Sequence, residues 1–228
     1  MKIRIDGYIV PNEWKEVYDY YEQPAFCPSD IINAKQAAKD EKLEITIGTC
    51  YGGSIFAGSE IGAEIKSHAG GAEIEVTGLA ASAASVIAMY AKNRMAPTAM
   101  LMVHNVSSMA AGDYRVMEKE SDTLKQCNKA MASAYIMKSG MSEEDALKMM
   151  DDETWLTAAQ AKEKGLIDEI MFENLDAQQM VASFGPGMIP KAVIDKTLAI
   201  LAEQKAEPQK DNFDFAYKKL NLIEKTII

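Results

Sequence analysis

The chain has 228 residues, 48% of them hydrophobic and 25% charged, with a net charge of −10. That is enough for one substantial domain with a large core and an additional tail, and the composition is that of a globular protein. The acidic balance excludes nucleic acid and anionic membrane as expected partners, since both select clustered Lys and Arg.

In chain order, residues 1–8 alternate Ile3 and Ile5 with polar side chains. This predicts a first strand rather than a signal peptide, which would need an apolar h-region. Residues 13–28 gather Trp14, Tyr18, Tyr20 and Tyr21 among acids. Exposed aromatics would need a partner, so packing around a loop or short helix is the expectation. Ser29-Asp30 caps a helix over 31–40, and 43–47 is the next strand. The glycine-rich stretch from Gly48 to Gly58 opens a second helix, which ends at His68 in a solvated last turn. Residues 72–76 form a strand, followed by Gly78-Leu79-Ala80-Ala81-Ser82-Ala83-Ala84-Ser85 and a helix over 82–92. That helix is apolar on almost every face, as one buried in mid-domain is. The apolar run from 78 to 91 has 14 residues, short of a membrane span. Met100-Leu101-Met102-Val103-His104 is a short strand ending in histidine.

Beyond it, 106–112 is a loop of small residues and 113–139 a long helix with Met117, Leu124 and Met131 seven apart. Spacing alone suits a core contact and a contact with another subunit equally. Gly140 ends that helix, and Ser142 with Asp145 opens a short one to 150. The acidic run Asp151-Asp152-Glu153 reads as solvated surface and Trp155 as core. Thr157 with Gln160 caps a further helix, Gly165 ends it, and 166–170 is a strand. After Phe172 the character changes: a turn at 184–187, a helix from Pro190 to about 204, a polar break at 207–212 and an apolar-rich last segment, 213–228. The expected division is a domain over 1–172 and an extension over 173–228. Alternating strands and helices predict an α/β fold of βαβ units around a buried, mostly parallel sheet, its loops collected at one edge. Cys27, Cys50 and Cys127 cannot all pair and are widely spaced, which suggests neither a disulfide framework nor a zinc site and fits a reducing cytoplasm.

Three stretches at such an edge suit nucleophilic chemistry. Ser82 opens a buried helix, beside N–H groups with no intrahelical partner, although serine is favoured there as a plain N-cap as well. Gly52-Gly53 lets backbone N–H groups approach a ligand, as an oxyanion hole requires. His104 offers a base at a strand end, whereas His68, the other histidine, belongs to no constellation.

In this order, Gly52-Gly53 with Ala57-Gly58, Gly78-x-Ala80-Ala81-Ser82, Met102-Val103-His104, Leu156-Thr157-Ala158-Ala159-Gln160-Ala161 and Gly165-Leu166-Ile167-Asp168 resemble the motifs of the Clp protease proteolytic subunit family. The resemblance spans roughly residues 1–172 and is nearest in flavour to phage and prophage members. It implies a Clp/crotonase-type α/β fold with a protruding handle helix, and a serine endopeptidase without metal or organic cofactor. Carried over by position, it makes Ser82 the nucleophile and His104 the general base, with oxyanion N–H groups on Gly53 and Ala83. Glu153 falls where the family has its aspartate, with Asp152 adjacent as the alternative; a glutamate can orient a histidine as an aspartate does. Cys50-Tyr51 departs from the family's usual Ser-Pro, which bears on the substrate groove. The implied partners are peptide or protein substrates, homo-oligomeric rings, and an AAA+ unfoldase or phage capsid and scaffold proteins. Three other readings stay open: a crotonase-type acyl-CoA enzyme, a signal-peptide-peptidase-like enzyme with a lysine base, and an inactive assembly protein.

Overall fold

Period-two burial builds the sheet. In the computed structural model, which describes residues 1–173, the elements in chain order are β1 (Lys2–Ile9), α1 (Asn12–Tyr20), β2 (Ala25–Phe26), α2 (Pro28–Ala38), β3 (Leu43–Gly53), α3 (Ile55–Lys66), β4 (Ala72–Ala81) and α4 (Ala83–Ala88). They continue with β5 (Lys92–Met95), β6 (Met100–Val103), α5 (Tyr114–Ser139), α6 (Glu143–Asp151), β7 (Thr154–Thr157), α7 (Ala158–Glu163) and β8 (Glu169–Ile170). Ile5 and Ile9 of β1, Leu43, Ile45 and Ile47 of β3, and Ile74 and Val76 of β4 are buried, with exposed or half-exposed residues between them. Each such side chain contributes about 1.5–3 kcal/mol of burial.

The strands form one sheet in the order β2-β1-β3-β4-β5-β8, with β6 on the far half of β4 and β7 beyond it. Every pairing is parallel except β6 with β7. The fold is therefore the expected α/β arrangement, and β4 is its hub, since β5 pairs with Glu73–Val76 and β6 with Leu79–Ala81. Helix α4 is buried at all six positions, whereas α5 buries only Met131, Ala132, Ala134 and Tyr135 near its C-terminal end. The remainder of α5 stands out from the domain, with Tyr114, Val116 and Met117 exposed. Among the described residues no helix is long and apolar enough to cross a membrane.

Several local expectations are corrected. The helix after Ser82 ends at Ala88, and the residues expected to complete it lead into β5, where Asn93 and Met95 are buried between exposed Lys92 and Arg94. The cap of α2 is Cys27, whose N–H donates to Asp30 Oδ2 at 2.9 Å, rather than Ser29-Asp30. His68 is buried, its Nε2 lying 2.8 Å from the carbonyl oxygen of Glu41. Trp155 is 49% exposed because it alternates with buried Leu156 on the short strand β7, which the capping signal of Thr157 had hidden. Helix α1 buries no residue, and Trp14, Tyr20 and Tyr21 are exposed instead of packed. Tyr18 joins an aromatic cluster, its ring 5.8 Å from that of Tyr8, which lies 5.5 Å from Tyr51, and Tyr20 and Tyr21 meet edge to face with ring centroids 5.1 Å apart. The expectations for 184–187, 190–204, 207–212 and 213–228 lie outside the described residues.

Candidate active site

The ends of β4 and β6 set the site. Their parallel register pairs Ala81 with Met102, and the Ser82 N–H donates to the Met102 carbonyl at 2.9 Å. The residues that follow both strands thus emerge at one edge, where Ser82 Oγ lies 2.8 Å from His104 Nε2. With the histidine neutral and protonated on Nδ1, the serine hydroxyl donates in this contact. Ser82 has φ 55° and ψ −125°, a conformation costly for a residue with a Cβ. It occupies the N-cap position of α4, yet its side chain caps no backbone N–H, so the plain-cap reading fails. Ala83 is the first residue of that helix, where N–H groups lack intrahelical acceptors.

The end of β3 lies against this turn. Gly52 has φ 83°, and a Cβ there would come 2.6 Å from Ser82 Cβ and 2.9 Å from Ala83 N. Gly53 has φ 142°, and its Cβ would meet the Ile9 carbonyl oxygen at 2.3 Å. Neither position admits a side chain, which is why the chain approaches Ser82 this closely. Ser54 then caps α3, its Oγ accepting from Ala57 N at 3.3 Å.

The acidic residues reach the edge by the one antiparallel pairing. Val103 is opposite Thr154. His104 directly follows β6 and Glu153 directly precedes β7. Glu153 has φ 46° and is exposed. Among the described residues its carboxylate makes no hydrogen bond to His104, and neither does that of Asp152, which accepts from Lys148 Nζ at 2.8 Å. Asp151 is held by Asn105, whose Nδ2 donates to Asp151 Oδ1 at 2.7 Å. Ser82 and His104 are in contact, whereas Asp152 and Glu153 are exposed.

Three further residues belong to the site and were not singled out from the sequence. Asn105 leaves its Oδ1 buried without a donor among the described residues. Ser85, one turn beyond Ser82, donates from Oγ to the Ser82 carbonyl at 2.6 Å. Tyr135 of α5 lies with its hydroxyl 2.8 Å from Ser85 Oγ. Because Ser85 spends its proton on Ser82, the donor in the second contact is Tyr135. Burial pushes the Tyr135 hydroxyl up to about 12. The i, i+3 repeat of serines was the available signal for Ser85; Tyr135 carried none beyond the apolar stripe of its helix. Cys50, on β3 before the paired glycines, is buried, and its thiol is pushed up to about 11 by desolvation. Ile55, Val86, Met131 and Tyr135 wall a small pocket of ≈ 20 Å³ against Ser82 and His104. A wider cleft of ≈ 420 Å³, sharing Asn105 and Val106 with it, runs along α5 past Met117, Leu124 and Asn128. Among the described residues no cluster of three or more His, Cys, Asp or Glu side chains could hold a metal ion.

The family model described as Clp protease matches residues 26–174. The ATP-dependent Clp protease proteolytic subunit 1 of Chlamydia abortus is 31% identical over 126 residues, 53% of this chain and 66% of the relative. The subunit 1 of Streptomyces avermitilis is 28% identical over 151 residues, covering 64% of this chain and 69% of the relative. The ATP-dependent Clp protease proteolytic subunit of Bacteroides fragilis is 29% identical over 125 residues, 54% and 60% of the two lengths. The chain thus spans just under two thirds, 66%, of the first of these relatives.

Proposed function

The chain belongs to the Clp protease family, and we propose that it is a serine endopeptidase using Ser82, His104 and Glu153. His104 Nε2 takes the Ser82 proton as Oγ bonds to the substrate's carbonyl carbon, and the N–H groups of Gly53 and Ala83 receive the oxyanion. The intermediate collapses as the C–N bond breaks, and the proton on Nε2 goes to the leaving amine. Water, deprotonated by the same nitrogen, then releases the acyl group and returns the proton to Ser82. Glu153, or Asp152 in its place, holds the imidazole tautomer. No cofactor or ATP enters these steps.

The observation that carries this reading is the 2.8 Å contact between Ser82 Oγ and His104 Nε2 at a backbone turn whose serine caps nothing. Intact mass after treatment with a fluorophosphonate tests it. The adduct should form on Ser82 and vanish in Ser82→Ala, and His104→Ala should slow labelling by about 1,000-fold or more. Failure of the assembled wild-type protein to label would overturn it.

The family resemblance and the names of the relatives support a wider proposal: cytoplasmic homo-oligomeric rings that receive protein from a separate ATP-driven unfoldase. The prophage-like flavour of the motifs supports a role in phage head maturation, acting on capsid or scaffold proteins. Degradation of unfolded substrates only in the presence of an unfoldase would favour the first over the second. An inactive assembly protein is the alternative, supported by the absence of a carboxylate bonded to His104 among the described residues.

A further inference from the structure

The small pocket beside Ser82 bears on which peptide bond is cut. The residue whose carbonyl is attacked must place its Cα within a few ångströms of Ser82 Oγ, so its side chain has to enter whatever space adjoins Ser82 and His104. That space is ≈ 20 Å³, room for about one water-sized group. A hydrogen, a methyl or a hydroxymethyl fits within it; a leucine or phenylalanine side chain would have to extend past Asn105 and Val106 towards the wider cleft.

The walls do not yield easily. Val86 and Met131 are buried on the core side, and Tyr135 is 1% exposed. Tyr135 also cannot turn away freely, since its hydroxyl donates to Ser85 and Ser85 in turn to the carbonyl of Ser82. Swinging the ring out would strip a buried O–H of its acceptor and loosen the residue next to the reacting centre. The wider cleft along α5 is lined by Met117, Leu124 and Asn128. None of these residues lines the small pocket beside Ser82 and His104.

Resting on the peptidase reading above, we propose that Tyr135, locked by Ser85, restricts cleavage to bonds whose acyl side is a small residue: glycine, alanine or serine. Tyr135 here determines specificity by occupying volume.

Peptidyl diphenyl phosphonates with the side chain of alanine, leucine or phenylalanine at the reacting position test this on the full chain, with the rate of Ser82 adduct formation read by intact mass. A fluorophosphonate with no such side chain reports the nucleophile separately. The expectation is that the alanine probe reacts about 10-fold or more faster than the other two. Tyr135→Ala should narrow or reverse the order, and Tyr135→Phe, which keeps the ring, should preserve it. Fluorophosphonate labelling together with a leucine or phenylalanine probe as fast as the alanine probe, or with no reaction of the alanine probe, overturns the proposal and leaves the peptidase reading standing. No labelling by the fluorophosphonate overturns both. Should Tyr135→Ala fail to fold, the three rates of the wild-type protein decide the matter alone.

Discussion

The hydroxyl of Tyr135, on the long helix, lies 2.8 Å from that of Ser85, which donates onward to the carbonyl of Ser82 at 2.6 Å. Removing the middle member strands a donor at a fully buried position; removing the end member strands nothing, because Ser85 keeps its acceptor. Ser85→Ala should therefore cost about 2 kcal/mol of stability and Tyr135→Phe about 1 kcal/mol or less. Urea denaturation of the two variants gives the ranking, and the reverse order would overturn this assignment of donor and acceptor along the chain of hydroxyls.

Gly52 is the glycine on which the site's geometry rests most directly. Its φ of 83° and the 2.6 Å that would separate an added Cβ from Ser82 Cβ leave no relaxed solution for alanine. Gly52→Ala should lower fluorophosphonate reactivity by about 100-fold or more, by displacing the turn that presents Ser82 and Ala83. Thermal melting run alongside separates this from global unfolding.

The two candidate acids differ in what they already hold. Asp152 is paired with Lys148, whereas the Glu153 side chain, next in the chain to the Val103–Thr154 pair, bonds nothing among the described residues. Glu153→Gln is expected to reduce peptidase kcat/KM by about 100-fold or more and Asp152→Asn by far less. An equal loss in both variants would make the acidic run, rather than one carboxylate, responsible.

Alkali should weaken the fold through Cys50 and Tyr135. Burial raises the first from 9.0 to about 11 and the second from 10.0 to about 12. The folded state keeps these protons more tightly than the unfolded chain, so neither group affects stability below its ordinary value. Stability then falls as pH rises from 9.0 towards about 11 for the thiol and from 10.0 towards about 12 for the phenol. Urea midpoints at about pH 8 and about pH 10.5 measure the loss. At neutral pH the partly exposed Cys127 should react first with a disulfide reagent, with Cys27 and Cys50 following only on unfolding.

Acid acts elsewhere. Desolvation opposes ionisation of Asp168, but Lys138 Nζ at 2.5 Å and the Asn93 N–H at 2.7 Å outweigh it and hold the carboxyl below its ordinary value. The lowered value means stability is present above pH 3.8 and is lost as pH falls through the folded-state value. Asp168→Ala should cost about 2 kcal/mol, less than a wholly buried pair would because the carboxylate is 38% exposed. The acid dependence should flatten in that variant.

Much of this arrangement was legible in the residues. Gly52-Gly53, Ser82 and His104 each sit where a strand ends, and glycine chemistry and strand alternation mark such places within a short window. Glu153 was assigned from motif position rather than from any local property; by composition the acidic run reads as surface, and it is exposed. What could not be read depends on distant contacts. His68 is buried because Glu41, far away in the chain, offers a carbonyl. Lys92–Met95 is a strand because β4 and β8 flank it, although its predecessor is apolar enough to prolong a helix. The aromatics of α1 look like core material by composition and are not, because that helix lies with none of its residues buried.

The single antiparallel pairing has a consequence for how the molecule assembles in time. Ser82 and His104 are 22 residues apart and meet through adjoining strands of the parallel sheet. Glu153 arrives only after the whole of α5 and α6 has been threaded back to lay β7 on β6. Closing that longer loop carries the larger entropic penalty. On refolding, Ser82 and His104 should come into register first, and Glu153, just before β7, should follow.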